Sequence, residues 1–255
     1  MRQLLRSSFL LLALALLSQC ADFDTASPDA ASTTGVGGSL ARFTIVGNFL
    51  YTVDASNLRT FNISKPDAPE LRHSIKIDRN DVETIFPLNN WLFLGTQSGM
   101  LIYQLSANGN PSFVSSYEHV ASCDPVVANT EFAYVTLRAT GCRGAGFGAA
   151  DRLDIISIAN IRQPQIIASH LMQEPYGLGL DGSTLFVCDG RHGVKVFNVS
   201  NPSAIVEIAH LEGFTAYDVI PLRGLLLVIG PENIYQYDYT DLQNIRQISQ
   251  IPFGV

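Results

Sequence analysis

Apolar residues along this chain recur in short runs and not in helical stripes. Five runs read Leu50-Tyr51-Thr52-Val53, Leu92-Phe93-Leu94, Ala133-Tyr134-Val135, Leu185-Phe186-Val187 and Leu226-Leu227-Val228. Each is followed, after a short gap, by a stretch of alternating character at 58–63, 100–105, 153–158, 194–199 or 234–239. Alternation with period two sends successive side chains to opposite faces of a strand. Thr, Val, Ile, Tyr and Phe dominate these stretches, and such residues suit a pleated, half-buried surface. Asn, Ser, Asp and Pro cluster at 64–69, 107–111, 160–164 and 201–202, which is turn chemistry and not helix interior. The pattern predicts repeated modules: an apolar strand, a second strand, an alternating third strand and, past a turn, a fourth.

Self-similarity fixes the period. The equivalent positions Phe61, Tyr103, Ile156, Phe197 and Tyr237 are spaced 42, 53, 41 and 40 residues apart. A period near 40 with four strands fits a β-propeller blade. The expected fold is all-β, a five-bladed β-propeller of four-stranded antiparallel blades. Its repeats fall at about 38–78, 79–120, 121–172, 173–212 and 213–255, and the spacing of 53 marks an insertion in the third. The first and last repeats each carry four strands of their own. Ring closure would therefore lack an exchanged strand and would rest on side-chain packing of blade one against blade five.

The N-terminus reads as an export signal. Arg2 and Arg6 precede an unbroken apolar stretch from Phe9 to Leu17, the length of a signal core and too short to span a bilayer. Leu17-Ser18-Gln19-Cys20 resembles a bacterial lipobox, with Gln19 where a small residue is usual. The resemblance implies a signal peptide over 1–19, cleavage before Cys20, and lipidation of its thiol. Residues 20–37, rich in Ala, Ser, Thr, Gly and Asp, would form a flexible tether, because they offer too little apolar surface to offset ordering entropy. The propeller would occupy 38–255. The implied address is the bacterial cell envelope, as an outer membrane lipoprotein facing the periplasm or the exterior, with the N-terminal lipid as the sole membrane contact.

Leu50-Tyr51-Thr52-Val53-Asp54, Leu185-Phe186-Val187-Cys188-Asp189 and Val194-Lys195-Val196-Phe197-Asn198-Val199-Ser200-Asn201-Pro202 resemble the LVIVD-repeat family of bacterial extracytoplasmic propellers. Repeats two and five keep the pattern but carry Gly95 and Gly230 where the signature has Asp. The resemblance implies fold and compartment. It implies no reaction.

Net charge is −7, from 16 Lys and Arg against 23 Asp and Glu, which argues against a surface that tracks phosphates; no nucleic-acid partner is expected. Four cysteines occur. Cys123 precedes the first strand of repeat three and Cys142 follows its second, so antiparallel pairing brings both to one rim. A Cys123–Cys142 disulfide would close a loop of about 20 residues, worth roughly 3 kcal/mol in the chain-entropy model; the alternative is two free thiols. Cys188 reads as a small buried hydrophobe. No metal motif occurs, the histidines are scattered, and no cofactor is expected.

In propellers the loops that lead into first strands share a face with the loops that follow second strands. The candidates on that face are Glu83, Asp124, Tyr176, Tyr217 and Asp218 from the first set, and Arg138, Arg143, Asp189, Arg191 and His192 from the second. They predict a polar, mainly acidic mouth with Arg and Tyr at its edge, unless they are ordinary solvated loop ends. The long insertion at 137–151 belongs to the same face. Gly177-Leu178-Gly179-Leu180-Asp181-Gly182 matches a dinucleotide motif by letters alone, since a strand and not a helix follows it. The readings are a non-enzymatic binding or scaffold module for a protein or glycan, an assembly subunit, and a glycoside hydrolase using Glu83, Asp124 and Asp218. The last rests on analogy of fold, a poor guide to chemistry.

Overall fold

The computed structural model describes residues 37–118, 125–139 and 150–254. They fold into five four-stranded antiparallel sheets arranged as a five-bladed β-propeller, as the repeat predicts, and no helix occurs among the described residues. Blade one is β1 (Phe43–Val46), β2 (Phe49–Val53), β3 (Asn57–Asn62) and β4 (Glu70–Lys76). Blade two is β5 (Val82–Leu88), β6 (Trp91–Thr96), β7 (Gly99–Leu105) and β8 (Pro111–Glu118). Blade three is β9 (Val126–Ala128), β10 (Phe132–Leu137), β11 (Arg152–Ser157) and β12 (Gln165–Leu171). Blade four is β13 (Leu178–Asp181), β14 (Thr184–Cys188), β15 (Val194–Asn198) and β16 (Val206–Leu211). Blade five is β17 (Asp218–Leu222), β18 (Leu225–Ile229), β19 (Asn233–Asp238) and β20 (Arg246–Pro252).

Each blade pairs in sequence order, so every sheet is drawn from one continuous stretch of chain. In all five blades the register between third and fourth strands shifts at one place: Thr60/Phe61, Ile102/Tyr103, Ile155/Ile156, Val196/Phe197 and Gln236/Tyr237. The second member of each pair is the apolar residue that sets the sequence period. The repeat thus marks a β-bulge, which bends the outer strand and raises its twist. The fourth strands are the exposed edges: β4, β12 and β20 begin with three exposed residues each.

Apolar side chains fill the gaps between blades. Tyr51, Leu58, Leu92 and Leu94 join blades one and two. Phe93, Ile102, Val135 and Ile156 join two and three, with Trp91 at the margin. Tyr134, Ile155, Leu185 and Val187 join three and four, and Phe186, Cys188, Leu226 and Val228 join four and five. Cys188 is fully buried, as its place in the sequence suggests.

The seam between blades five and one is built differently. Leu50 and Thr52 of blade one, and Leu225, Leu227 and Ile229 of blade five, are half-buried, whereas β14 is buried throughout. No exchanged strand closes the ring, as expected, but packing of blade one on blade five is not what chiefly bridges it. The segment before β1 does so. Ser39 Oγ donates to Asp218 Oδ1 of β17 (3.2 Å) and accepts from the Leu178 amide of β13 (2.8 Å). The Leu40 amide donates to Asp218 Oδ2 (3.4 Å), and the Ala41 carbonyl accepts from Ile85 of β5 (2.9 Å). One short polar segment thus touches blades two, four and five before entering blade one. Gly38 and Gly177 make it possible, because a Cβ at either position would overlap the Asp218 carboxylate. Ser39→Ala leaves the Leu178 amide without its acceptor and removes one of the two donors to Asp218 Oδ1, in a buried setting. A loss of about 1–3 kcal/mol is expected in urea denaturation; a loss under a few tenths would show that the latch does not hold the seam.

Candidate functional site

Where the first strands begin, the five blades enclose a cleft of about 550 Å³. Blade one contributes Leu40 and Arg42, blade two Glu83 and Thr84, and blade three Pro125 and Arg138. Blade four contributes Pro175 and Tyr176, and blade five Tyr217. Four of the ten candidates from the sequence, Glu83, Arg138, Tyr176 and Tyr217, therefore meet at one axial mouth.

Glu83 reaches it through a break in pairing. Val82 pairs with Thr96 and Thr84 with Gly95, which leaves Glu83 as an additional residue in β5. No other pairing of a first with a second strand shifts among the described residues. Bulges of this kind re-aim side chains and are common beside functional sites. Gln97 Nε2 donates to Glu83 Oε1 at 2.8 Å, which orients the carboxylate. Next to it, Thr84 is 3% exposed and its hydroxyl has no hydrogen-bond partner.

Tyr176 and Tyr217 lie 4.9 Å apart, ring centroid to ring centroid, inclined at 55°. The Arg138 guanidinium lies 4.0 Å from the Tyr176 centroid, within cation–π range. Their backbones are fixed: the Tyr176 amide donates to the Cys188 carbonyl (2.8 Å), and the Tyr217 amide to that of Ile229 (2.7 Å). Thr136 Oγ1 donates to the Tyr176 carbonyl at 2.5 Å. Partial burial raises the Tyr176 pKa, opposed by Arg138 and reinforced by Glu174, so its phenol is protonated at neutral pH.

The other candidates do structural work. Asp218 is not in the cleft wall but beneath it, 6% exposed and covered by Ser39 and Leu40. Burial pushes its pKa up to about 6, against hydrogen bonds from Val219, Leu40 and Ser39 that favour the anion. Asp189 is fully buried and accepts from the Gln173 and Glu174 amides at 3.0 and 2.7 Å, with Lys195 Nζ 3.0 Å away. Arg191 is exposed, 3.4 Å from Glu174. The His192 carbonyl oxygen lies 2.6 Å from His210 Nε2, and the His192 ring is not part of the cleft wall. Asp54 caps its own turn through Ser56, Asn57 and Arg59, which hold its carboxyl below the usual range. Asp124 and Arg143 lie outside the described residues, as do Cys20, Cys123 and Cys142. Of the insertion, the two ends meet: the Ala139 amide donates to Asp151 Oδ1 at 2.7 Å.

The expectation of a mainly acidic mouth is corrected for the described residues. The wall holds two guanidiniums and one carboxylate, because Asp189 and Asp218 turn into the fold. Sequence reasoning missed Arg42, Thr84, Leu40 and both prolines. Arg42 immediately precedes the first strand of blade one, and Pro175 adjoins Tyr176, so a place beside a first strand was the available signal. Nothing in the sequence marks the unpartnered Thr84 hydroxyl.

No protein-family model matches the chain, and no curated protein matches its sequence. Solved structures resemble it in fold. A protein from Lactobacillus plantarum matches with TM-score 0.63 and 13% identity, over 80% of this chain and 68% of that one. Apo AztD from Citrobacter koseri matches with TM-score 0.58 and 14% identity, over 82% and 63%. The periplasmic gluconolactonase PpgL of Pseudomonas aeruginosa matches with TM-score 0.58 and 12% identity, over 82% and 68%. At such identities the likeness is one of fold alone.

Proposed function

We propose that the protein is a non-enzymatic binding module of the bacterial envelope, held by an N-terminal lipid on Cys20 and engaging a protein or glycan partner at the axial mouth. The observation that carries the reading is the Arg138–Tyr176–Tyr217 cluster in a cleft walled by all five blades. Tyr and Arg are the side chains that most often dominate binding energy, since they offer large contact area and oriented donors. A rigid ring that brings them together from separate blades has met the cost of ordering in advance. The glycosidase reading needs two carboxylates about 6.5–9.5 Å or 5–5.5 Å apart across a bond. Glu83 is the one carboxylate of the described wall, and Asp218 is covered.

The test uses the full-length protein in detergent as bait for envelope extract, beside a Tyr176→Ala/Tyr217→Ala variant of equal melting temperature. The wild type should retain a saturable partner, and the variant should bind it at least about 30-fold more weakly, the size of a 2 kcal/mol anchor. Hydrolysis of envelope polysaccharide by the wild type, lost in Glu83→Gln, would replace the binding reading with the enzymatic one.

A further inference from the structure

The chemistry of the mouth sets terms for its partner. Four features of the wall have to be met by one ligand. Among the described wall residues Arg42 and Arg138 are cationic and Glu83 is anionic, which suits an anionic ligand placed at Arg42. Arg42 is exposed and has no ion pair or side-chain hydrogen bond among the described residues, which leaves its planar fork for a carboxylate. Glu83, one of whose oxygens is taken by Gln97, accepts hydrogen bonds and cannot donate them as an anion; it calls for hydroxyl or amide donors. Beside it, Thr84 is 3% exposed, and its buried hydroxyl has no partner in the protein. A buried hydroxyl left unpaired is costly, and a ligand hydroxyl would satisfy it. The Tyr217 ring supplies a flat apolar surface against which a sugar's C–H face can rest. A volume of about 550 Å³ belongs to the range of small-ligand clefts and admits a short oligosaccharide.

Resting on the binding-module reading, we propose that the axial mouth binds a uronic acid residue within a glycan. Its carboxylate lies on the Arg42 guanidinium, its ring hydroxyls reach Glu83 and Thr84, and its apolar face lies on Tyr217. A neutral sugar leaves Arg42 unanswered. A fully ionised phosphate leaves Glu83 without a donor, and a peptide carboxy-terminus does not bring the flat C–H face that Tyr217 would receive.

Calorimetric titration of the full-length protein in detergent with a trigalacturonate, and with the matching neutral galactose trisaccharide, decides the matter. The uronate should bind saturably and at least tenfold more tightly than the neutral sugar, with affinity falling as salt rises. Arg42→Gln should weaken the uronate at least tenfold and narrow its advantage over the neutral sugar. Thr84→Val, which keeps the shape of the side chain, should weaken both severalfold. Equal binding of the neutral sugar, an unaffected Arg42→Gln, or displacement of the uronate by inorganic phosphate or a free-carboxylate peptide at similar concentration would each overturn the assignment. If no uronate binds but the envelope partner is still captured in a Tyr176- and Tyr217-dependent way, the saccharide falls and the binding module stands. If neither binds, both fall.

Discussion

Asp189→Ala should destabilise the domain by about 3–5 kcal/mol, the range found when one member of a buried ion pair is removed. The carboxylate is fully buried and holds two backbone amides as well as Lys195, whose side chain is 16% exposed. Truncation would leave the Gln173 and Glu174 amides unpaired and an ammonium group without its counter-charge. For a domain of this size the melting temperature should fall on the order of 10 °C. Asp189→Ala/Lys195→Met should recover more than half the loss in urea denaturation, because no charge is then left stranded. A single variant within 1 kcal/mol of wild type would mean that the pair does not organise the Gln173–Glu174 loop.

Stability should also fall as pH rises from about 4 to 7, opposite to the usual carboxylate trend. The group responsible is Asp218. Its pKa is near 3.8 in the unfolded chain and about 6 in the folded one, so the folded state holds the proton more tightly. Its stabilising contribution is complete below about pH 4 and is lost as pH climbs through about 6, roughly 3 kcal/mol for a shift of this size. Asp54 and Asp238 act in the other sense, each held below its ordinary range by turn hydrogen bonds and an arginine, so their contribution is lost only on further acidification. Thermal melts at about pH 5 and 7.5 should show the higher midpoint at the lower pH, and Asp218→Asn should flatten that slope. A midpoint that is equal or higher at the alkaline end would show that Asp218 is ionised without cost under Ser39.

The blades were legible in the sequence because each one repeats a physical demand. A strand buried between two neighbours needs an apolar run, as at Leu185-Phe186-Val187, and a bulge recurs at Phe61, Tyr103, Ile156, Phe197 and Tyr237 because the outer strand must bend at the same place. Half of the mouth was legible for a related reason: Tyr176 and Tyr217 hold equivalent places next to first strands. Asp189 and Asp218 misled because a carboxylate at a strand end can face solvent or turn inward, and only the geometry of its neighbours decides which. Asp189 turns in because Gln173 and Glu174 present two amides, and Asp218 because Gly38 and Gly177 leave it room. Glu83 was found by alignment, but the bulge that turns it out of the ladder depends on pairing register. The seam latch was illegible, since Ser39 in a Gly- and Ser-containing stretch looks like any linker serine.

No blade borrows a strand from the far end of the chain. Each sheet can therefore form once its own segment is free to fold, with mostly local pairings to find. The leading segment is the exception: its bonds from Ser39 to Leu178 and from Leu40 and Ser39 to Asp218 join positions 139, 178 and 179 residues apart. The bonds to Asp218 must wait for the last blade, so a folding chain carries formed blades on an incompletely latched leading segment until β17 is in place. Blades two and four hold that end through Ala41 and Ser39, and the last blade completes the latch beside Leu40 and Arg42 of the mouth. Completion of the binding cleft is thereby tied to the last blade, and a product truncated before blade five would lack Tyr217 and the Asp218 half of the latch.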